Sequence, residues 1–305
     1  MPISPAITIQ NLRKTYGSVE VLKGIDLEIQ SGEIFALLGP NGAGKTTTIE
    51  ILEGHRAPTS GSVSVLGFVP THRDQYFRER IGIVLQETTV DGYLTVRETV
   101  DLFGSYYSRP RDTDEILELV GLESQKASLS RKLSGGQKRR LDVAVGLIGN
   151  PEILFLDEPT TGFDPRARRA AWEMVRRLEE LGCTVVLTTH YMEEAEQLCD
   201  MLAFMDDGKI IAMGRPKDLI REHLETNAIE IFIESSQRPK LLETFSTSTQ
   251  FHADLGQRLI IYTRDSGTML TQLHHNYSGI EIRSRLTNLE DVFLKLTGHQ
   301  LRENA

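Results

Sequence analysis

The chain has 305 residues, of which 39% are hydrophobic and 25% are charged. These values are ordinary for a soluble globular protein and allow one large domain or two domains. The net charge of −9 argues against a surface built to bind polyanions. The two cysteines, Cys183 and Cys199, do not make a disulfide framework, and we expect them to be small buried side chains in a reducing compartment.

Neither membrane insertion nor secretion is predicted from the sequence. No stretch approaches the roughly eighteen consecutive apolar residues of a transmembrane helix. The opening residues, MPISPAITIQ, lack the basic and apolar regions of a signal peptide. We therefore expect any membrane role to depend on a partner protein.

Three strands and a glycine-rich loop are predicted first. Alternation favours strands at Ala6–Leu12 and Ser18–Gln30, and the apolar run Glu33–Leu38 is typical of a buried strand. The sequence GPNGAGKTT then opens a helix, which is the context required by the phosphate-binding pattern G-x-x-x-x-G-K-[ST]. The residues predicted to surround a nucleotide are Gly39, Pro40, Asn41, Gly42, Ala43, Gly44, Lys45, Thr46 and Thr47.

Two residues of this loop carry specific chemistry. Lys45 can reach the β- and γ-phosphates of a nucleoside triphosphate, and the Thr46 hydroxyl can bind Mg²⁺. Further along, the strand Ile81–Leu85 ends at Gln86, whose neutral amide suits contact with Mg²⁺ or with the attacking water. Because a helical region at about 87–131 follows, Gln86 could also sense these groups.

A second anion site is predicted in the sequence LSGGQ. Ser134, with Gln137 three residues later, has the form of a capping box at a helix start. Because Gly135 and Gly136 have no side chains, their backbone amides are accessible to an anion at the positive end of the helix dipole. We interpret the basic run Lys138–Arg140 as a solvated face of this helix beside phosphates, with a nucleic-acid patch as the alternative.

A pair of carboxylates follows the buried strand Ile153–Leu156. Neighbouring strand residues point to opposite sides, so we expect Asp157 and Glu158 to have different tasks. Asp157 can hold Mg²⁺, directly or through water, and Glu158 can act as the general base that polarises the attacking water. His190 follows another buried run, VVLTTH; it can hydrogen-bond the γ-phosphate at the carboxyl edge of the sheet, or be an ordinary polar residue.

Buried strands that alternate with helices predict an α/β fold, with antiparallel strands added at the front. The further elements predicted here are the strand Ser62–Leu66, the helix Arg166–Leu181, the strand Thr184–Thr188, the helix Met192–Leu198 and a hairpin of Met201–Met205 with Lys209–Met213.

Composition shifts after about Glu225, and we predict a separate small α+β domain there, with the order βαββαβ. Its first strand has Ile229 and Ile231 alternating with Glu230. Its last helix, Leu289–Leu296, is predicted to start at a capping box Thr287–Glu290 and to end at Gly298.

The order of these motifs resembles the nucleotide-binding domain of the ATP-binding cassette (ABC) family, whose signature is LSGGQ. The resemblance covers about residues 6–220. It implies a P-loop NTPase core with an antiparallel β subdomain and a helical subdomain (about 87–150) in a cassette at 1–225, followed by an accessory domain at 226–305. It also implies that Tyr16 stacks on adenine, and that Asp164 in TGFD is the aspartate of the family's SGLD loop.

The family also suggests a use for the second anion site. Its nucleotide-binding domains pair head to tail, so Ser134, Gly135, Gly136 and Gln137 would close on the γ-phosphate of ATP bound by a second copy. The resemblance thus implies a Mg²⁺-dependent ATPase that acts as a homodimer.

The C-terminal sequence LTNLEDVFLKLTG resembles the LEDVF-type segment of type-2 ABC exporters of the daunorubicin-resistance and nodulation-factor export kinds. This implies the ATPase subunit of a bacterial exporter, held at the cytoplasmic face of the cell membrane by a separately encoded transmembrane permease subunit.

Two alternatives remain. An importer ATPase with a C-terminal regulatory domain fits the cassette motifs equally well, and only the C-terminal sequence speaks against it. A soluble ABC protein acting on DNA or the ribosome usually carries two cassettes or a long insertion; with one uninterrupted cassette and an acidic chain, no nucleic-acid partner is expected.

Overall fold

The computed structural model describes residues 5–72, 74–84, 91–245, 251–277 and 279–298. The chain divides into two compact units, Met1–Met213 and Gly214–Ala305. The second unit begins before the predicted boundary at 226, because helix α8 (Pro216–His223) packs against helix α11 (Leu289–Thr297) and buries Leu219. Helix α8 was not predicted from the sequence.

An antiparallel sheet of three strands opens the first unit. It contains β1 (Pro5–Tyr16), β2 (Val19–Gln30) and β4 (Ser60–Val65) in the spatial order β2-β1-β4. Alternate apolar residues of these strands, such as Ile7 and Ile9, are buried in the main core of the unit. The antiparallel strands predicted at the front are thus confirmed.

The second sheet of this unit has six strands in the spatial order β5-β6-β7-β3-β8-β9. Their bounds are β3 Ile34–Leu38, β5 Ile81–Val84, β6 Ile153–Asp157, β7 Thr184–Thr189, β8 Met201–Asp206 and β9 Lys209–Gly214. The pairs β5–β6, β6–β7, β7–β3 and β3–β8 are parallel. The carboxyl ends of β3, β6 and β7 therefore lie along one edge of the sheet, where ligands gather in α/β folds. This arrangement confirms the predicted α/β core.

Helices cover this sheet and form the helical region. Their bounds are α1 Lys45–Leu52, α2 Gln75–Glu79, α3 Val96–Gly104, α4 Thr113–Leu119, α5 Gly135–Leu147, α6 Pro165–Glu180 and α7 Met192–Leu198. Helices α3 and α4 pack against α5 and make up the helical region predicted after residue 87. None of the helices in the described ranges has both the length and the apolar character needed to cross a bilayer.

The second unit has the element order βαββαβ that the sequence predicted, followed by α11. Its other elements are β10 Asn227–Phe232, α9 Arg238–Phe245, β11 His252–Asp254, β12 Leu259–Thr263, α10 Ser266–Asn276 and β13 Glu281–Leu286. The strands form one antiparallel sheet in the order β11-β12-β10-β13.

Each face of this sheet packs against an apolar core. On one face, Ile229 and Ile231 belong to a core with apolar residues of α9 and α10. On the other face, Tyr262 packs with Leu294 of α11. Glu230 lies between the two isoleucines and is also buried; its carboxylate accepts from Arg258 and Arg285.

The start of α11 differs from the prediction by one residue. Asn288, rather than Thr287, is the N-cap: its Oδ1 accepts from the Asp291 N–H at 3.1 Å, and the Asp291 carboxylate accepts from the Asn288 N–H at 3.1 Å. Thr287 instead donates its N–H to the carbonyl oxygen of Thr226. The helix ends at Gly298 as predicted, with a left-handed φ of +75°. Both cysteines are buried and free, as expected.

Candidate active site

The glycine-rich loop between β3 and α1 fits tightly against neighbouring strands. A Cβ on Gly39 would lie 2.1 Å from the carbonyl oxygen of Met205, and a Cβ on Gly44 would lie 2.6 Å from Cδ2 of Leu22. Gly44 is also the N-cap of α1, with φ +102°. The sequence therefore needs glycine at these two positions to place the loop at the carboxyl edge of the sheet.

Lys45 turns back onto the loop that precedes it. Its Nζ donates to the carbonyl oxygens of Gly39 at 2.7 Å and Pro40 at 3.1 Å, and the side chain is buried. Burial lowers the pKa of Lys45, while the charges of Glu158 and Asp157 act in the opposite direction. The loop thus presents a buried ammonium group whose two hydrogen-bond acceptors are neutral carbonyl oxygens, and such a cation can exchange them for the charged oxygens of a phosphate.

Asp157 ends strand β6 and is oriented by the neighbouring strand. The parallel register pairs it with Thr188 of β7, whose hydroxyl donates to Asp157 Oδ1. This partner was not predicted from the sequence. Thr46, the second residue of α1, is exposed. A hydroxyl and a carboxylate are oxygen donors of the kind that Mg²⁺ prefers.

Glu158 departs from strand geometry and is held by two side chains. Its φ is +44°, a left-handed value that costs about 1–3 kcal/mol in a residue other than glycine. Its Oε1 lies 3.3 Å from Nδ1 of His190, and its Oε2 accepts from the Thr161 hydroxyl at 3.0 Å. The side chain is 16% exposed. Asp157 and Glu158 therefore have separate partners. Their side chains diverge because Glu158 has a left-handed backbone conformation and not because the strand continues, and their different tasks stay a prediction.

Thr161 is a site residue that the sequence analysis missed. Its N–H donates to the Glu158 carbonyl oxygen at 3.3 Å, so a turn brings its hydroxyl back to the carboxylate three residues earlier. The signal was the TGFD stretch itself, in which Thr161 stands at the first position.

The SGGQ segment opens α5 as predicted. Ser134 is the N-cap: its Oγ accepts from the Gln137 N–H at 3.3 Å, and Gln137 Oε1 accepts from the Ser134 N–H at 2.9 Å. Ser134 and Gly135 are exposed. The capping box is therefore confirmed, and the first turn of α5 faces outward.

The interpretation of the basic run as a solvated face is wrong for Arg139. Lys138 is exposed, but Arg139 is buried and donates to the main-chain carbonyls of Asp157 and Pro159. Arg140 is half-buried and donates to the carbonyl oxygens of Val120 and Gly121 in the helical region. Main-chain carbonyls therefore replace water around the Arg139 side chain.

Two family models match the chain. A model described as ABC transporter matches residues 22–161, and a model described as the C-terminal domain of the nodulation factor export protein NodI matches residues 241–298. Nod factor export ATP-binding protein I of Cupriavidus metallidurans is 40% identical over 97% of this chain and 99% of its own length. The protein of the same name from Rhizobium sp. is 41% identical over 98% of this chain and 99% of its own length.

The chain belongs to the ABC transporter ATP-binding proteins. It binds and hydrolyses ATP as the ATPase subunit of an ABC exporter. Solved structures agree with this placement. The protein cbiO1 from Clostridium perfringens, part of the ABC transporter complex cbiONQ, has a TM-score of 0.66 and 30% identity over 72% of this chain and 92% of its own. A bacterial ABC transporter cassette in a dimeric structure has a TM-score of 0.61 and 28% identity over 68% and 98%.

The remaining predicted residues of this ABC subunit occupy different places. Tyr16 ends β1 and is 38% exposed, with Lys14 Nζ 5.0 Å and Arg56 Cζ 5.5 Å from the centre of its ring. Asp164 caps α6: its Oδ1 accepts from the N–H groups of Arg166 and Ala167. Gln86 lies outside the described residues. The contacts of all three with nucleotide or metal stay predictions.

Proposed function

We propose that this ATPase subunit powers export through a separately encoded transmembrane subunit, at the cytoplasmic face of the cell membrane, and works there as a head-to-tail homodimer. The relatives support this proposal by name, since each is an export ATP-binding protein. The dimeric cassette among the similar structures supports the pairing of two copies. Selection of the transported compound would belong to the membrane partner.

The observation that carries the proposed chemistry is the setting of Glu158. Its carboxylate is held by His190 and Thr161 at the sheet edge, and its negative charge acts on Lys45 of the phosphate loop. In the proposed mechanism Glu158 accepts the proton of the attacking water. His190 would orient the carboxylate through Nδ1, and its hydrogen bond to the γ-phosphate stays a prediction from the sequence.

The phosphate loop has the complementary task. Gly39–Thr47 would surround the β-phosphate with backbone amides, and Lys45 would exchange its carbonyl contacts for phosphate oxygens. Thr46 and Asp157 would hold Mg²⁺, with Gln86 as the third predicted ligand. When bound, Mg²⁺ offsets the negative charge of the phosphates.

The position of the signature segment favours a role in the neighbour's site. Ser134, Gly136 and Gln137 line a cavity of about 550 Å³ together with Phe163, Asp164 and residues of α6. Among the described residues, none of the phosphate loop lines this cavity. We propose that a second copy brings its bound ATP to the outward-facing first turn of α5.

Substitution of Glu158 tests this proposal. The Glu158→Gln variant keeps the shape of the side chain but cannot accept the proton, so hydrolysis should slow by about 10²–10⁴-fold while ATP binding is retained. The variant should then form a dimer with Mg²⁺ and ATP in size-exclusion chromatography, and not with ADP. Hydrolysis at the parent rate would overturn the assignment of the base, and an inactive variant that stays monomeric with ATP would overturn the pairing.

Two further variants test the phosphate loop and the start of α6. Lys45→Ala should lose both ATP binding and hydrolysis, because the cation that meets two phosphates is gone. Asp164→Asn keeps a side chain that can cap α6, and so it tests whether the charge at the start of α6 matters to turnover.

A further inference from the structure

Arg139 occupies an unusual position for an arginine in the signature helix. It lies five residues into α5 but is only 9% exposed. Its Nη2 donates to the carbonyl oxygen of Asp157 at 2.8 Å, and its Nε donates to the carbonyl oxygen of Pro159 at 3.4 Å. These two carbonyl groups stand on either side of Glu158. One guanidinium therefore spans the residue that carries the proposed base.

The peptide group between Asp157 and Glu158 is held on both of its sides. Arg139 holds its carbonyl oxygen. Its N–H donates to the Thr188 carbonyl oxygen at 3.2 Å and lies 3.1 Å from the Thr188 hydroxyl oxygen. A fixed peptide plane restricts the backbone of Glu158, whose φ of +44° is a conformation that such a residue keeps only when its surroundings impose it.

The charge of Arg139 strengthens this hold. Burial lowers the pKa of Arg139, while the negative charges of Asp142, Asp157 and Glu194 oppose that shift. An arginine remains protonated in proteins, so its bonds to the two carbonyls are charge-assisted.

We propose that Arg139 is a positioning residue for ATP hydrolysis, which fixes the main chain around Glu158 and so aims its carboxylate at the attacking water. The inference rests on the proposed function, in which Glu158 is the general base. It also gives α5 a second task. The helix begins at Ser134, which is proposed to meet the neighbour's ATP, and one turn later it holds the base that acts on the chain's own ATP.

The test compares Arg139→Gln and Arg139→Lys with a matched control, Arg176→Gln, in the full chain. Arg176 lies on α6 and also donates to a main-chain carbonyl, that of Gln197, but it does not line the cavity beside Ser134. We expect Arg139→Gln to lower kcat by about 10–100-fold, as displacement of a catalytic group by about 1 Å does, with KM for ATP changed by less than about threefold. Arg139→Lys should be intermediate, because one ammonium cannot replace the planar fork. Arg176→Gln should keep the parent kcat.

Several outcomes would overturn the inference. One is a folded Arg139→Gln or Arg139→Lys variant that keeps the parent kcat. Another is a rise in KM for ATP that is as large as the fall in kcat. The third is loss of folding in both Arg139 variants. Thermal unfolding of each variant supplies the folding control. The Glu158→Gln variant separates a failure of the proposed function from a failure of this inference. If Glu158→Gln hydrolyses ATP at the parent rate, the proposed function fails, whatever the Arg139 variants do.

Discussion

Nδ1 of His190 lies 3.3 Å from Oε1 of Glu158, so the residue that follows β7 contacts the residue that follows β6. The imidazole is itself braced, since its ring centre is 4.1 Å from that of Tyr191. A lone histidine in a sequence carries little information, but a histidine against a carboxylate at the edge of the sheet has a definite geometric role.

Replacement of His190 should weaken turnover more than binding. In His190→Ala the Glu158 carboxylate keeps only Thr161 of its two side-chain partners, so we expect kcat to fall by about 10²-fold while ATP affinity stays near that of the parent. Steady-state hydrolysis and titration with a fluorescent ATP analogue measure the two quantities. Tyr191→Phe, which keeps the ring against His190, is the matched control and should retain activity. A loss of affinity as large as the fall in kcat would instead favour the predicted contact with the γ-phosphate and contradict a role directed at the carboxylate.

A bulky side chain at the signature should separate binding from turnover. Ser134 is exposed and belongs to the proposed site of the second copy, so Ser134→Arg should bind ATP as a monomer yet fail to hydrolyse it. Ser134→Thr keeps a capping hydroxyl and should hydrolyse ATP, whereas the loss of the cap in Ser134→Ala should cost about 1 kcal/mol of stability. Equal loss of monomer affinity and turnover in Ser134→Arg would mean that the residue serves its own chain's ATP.

The motifs and most elements were predictable from the sequence because they depend on local signals. Apolar runs gave the buried strands, and glycine spacing gave the loop whose residues Gly39 and Gly44 have no room for a side chain. The misses depend on tertiary contacts. Arg139 lies in a charged run but is buried. Glu230 alternates with two core isoleucines and so lies on the other face of the sheet, which would be exposed if α11 did not pack there. No local pattern reveals such partners.

The buried ion network of the second unit should control the stability of that unit. Asp291 accepts from Arg285 at 2.6 and 2.8 Å and from the Tyr262 hydroxyl at 2.9 Å. Asp291→Ala would leave buried polar groups unpaired, so we expect a loss of about 3–5 kcal/mol. Urea unfolding can assign the loss, because the single tryptophan, Trp172, lies in the first unit and reports on it by fluorescence, whereas circular dichroism reports on both units. A shift of the tryptophan transition alone would contradict this prediction.

Glu53 should make the stability of the first unit depend on pH. This carboxyl group follows α1 and is 7% exposed. Burial raises its pKa to about 8, and the charges of Asp157 and Glu50 add to the shift. Nδ1 of His55 lies 3.1 Å from Glu53 Oε2 and is the titratable group opposite it.

The sign of the effect follows from the raised pKa of Glu53. Between the ordinary glutamate pKa of 4.5, which applies to the unfolded chain, and the folded pKa of about 8, the folded state holds a proton that the unfolded state has released. Stability should therefore fall as pH rises through this window, by on the order of a few kcal/mol, and should level off above it. Glu53→Gln mimics the protonated acid, so its stability should lack this slope and exceed that of the parent above pH 8.

The measurement is urea unfolding followed by Trp172 fluorescence from pH 5 to 9, without nucleotide and with a metal chelator, so that no bound cation alters the charge near Asp157. His55→Ala in the same series removes the imidazole that lies 3.1 Å from Glu53 Oε2, and so shows whether that neighbour contributes to the slope. If the parent and Glu53→Gln have parallel stability curves, Glu53 is ionised in the folded protein at neutral pH and the buried-acid interpretation is wrong. If the slope disappears in His55→Ala and persists in Glu53→Gln, the slope does not come from Glu53.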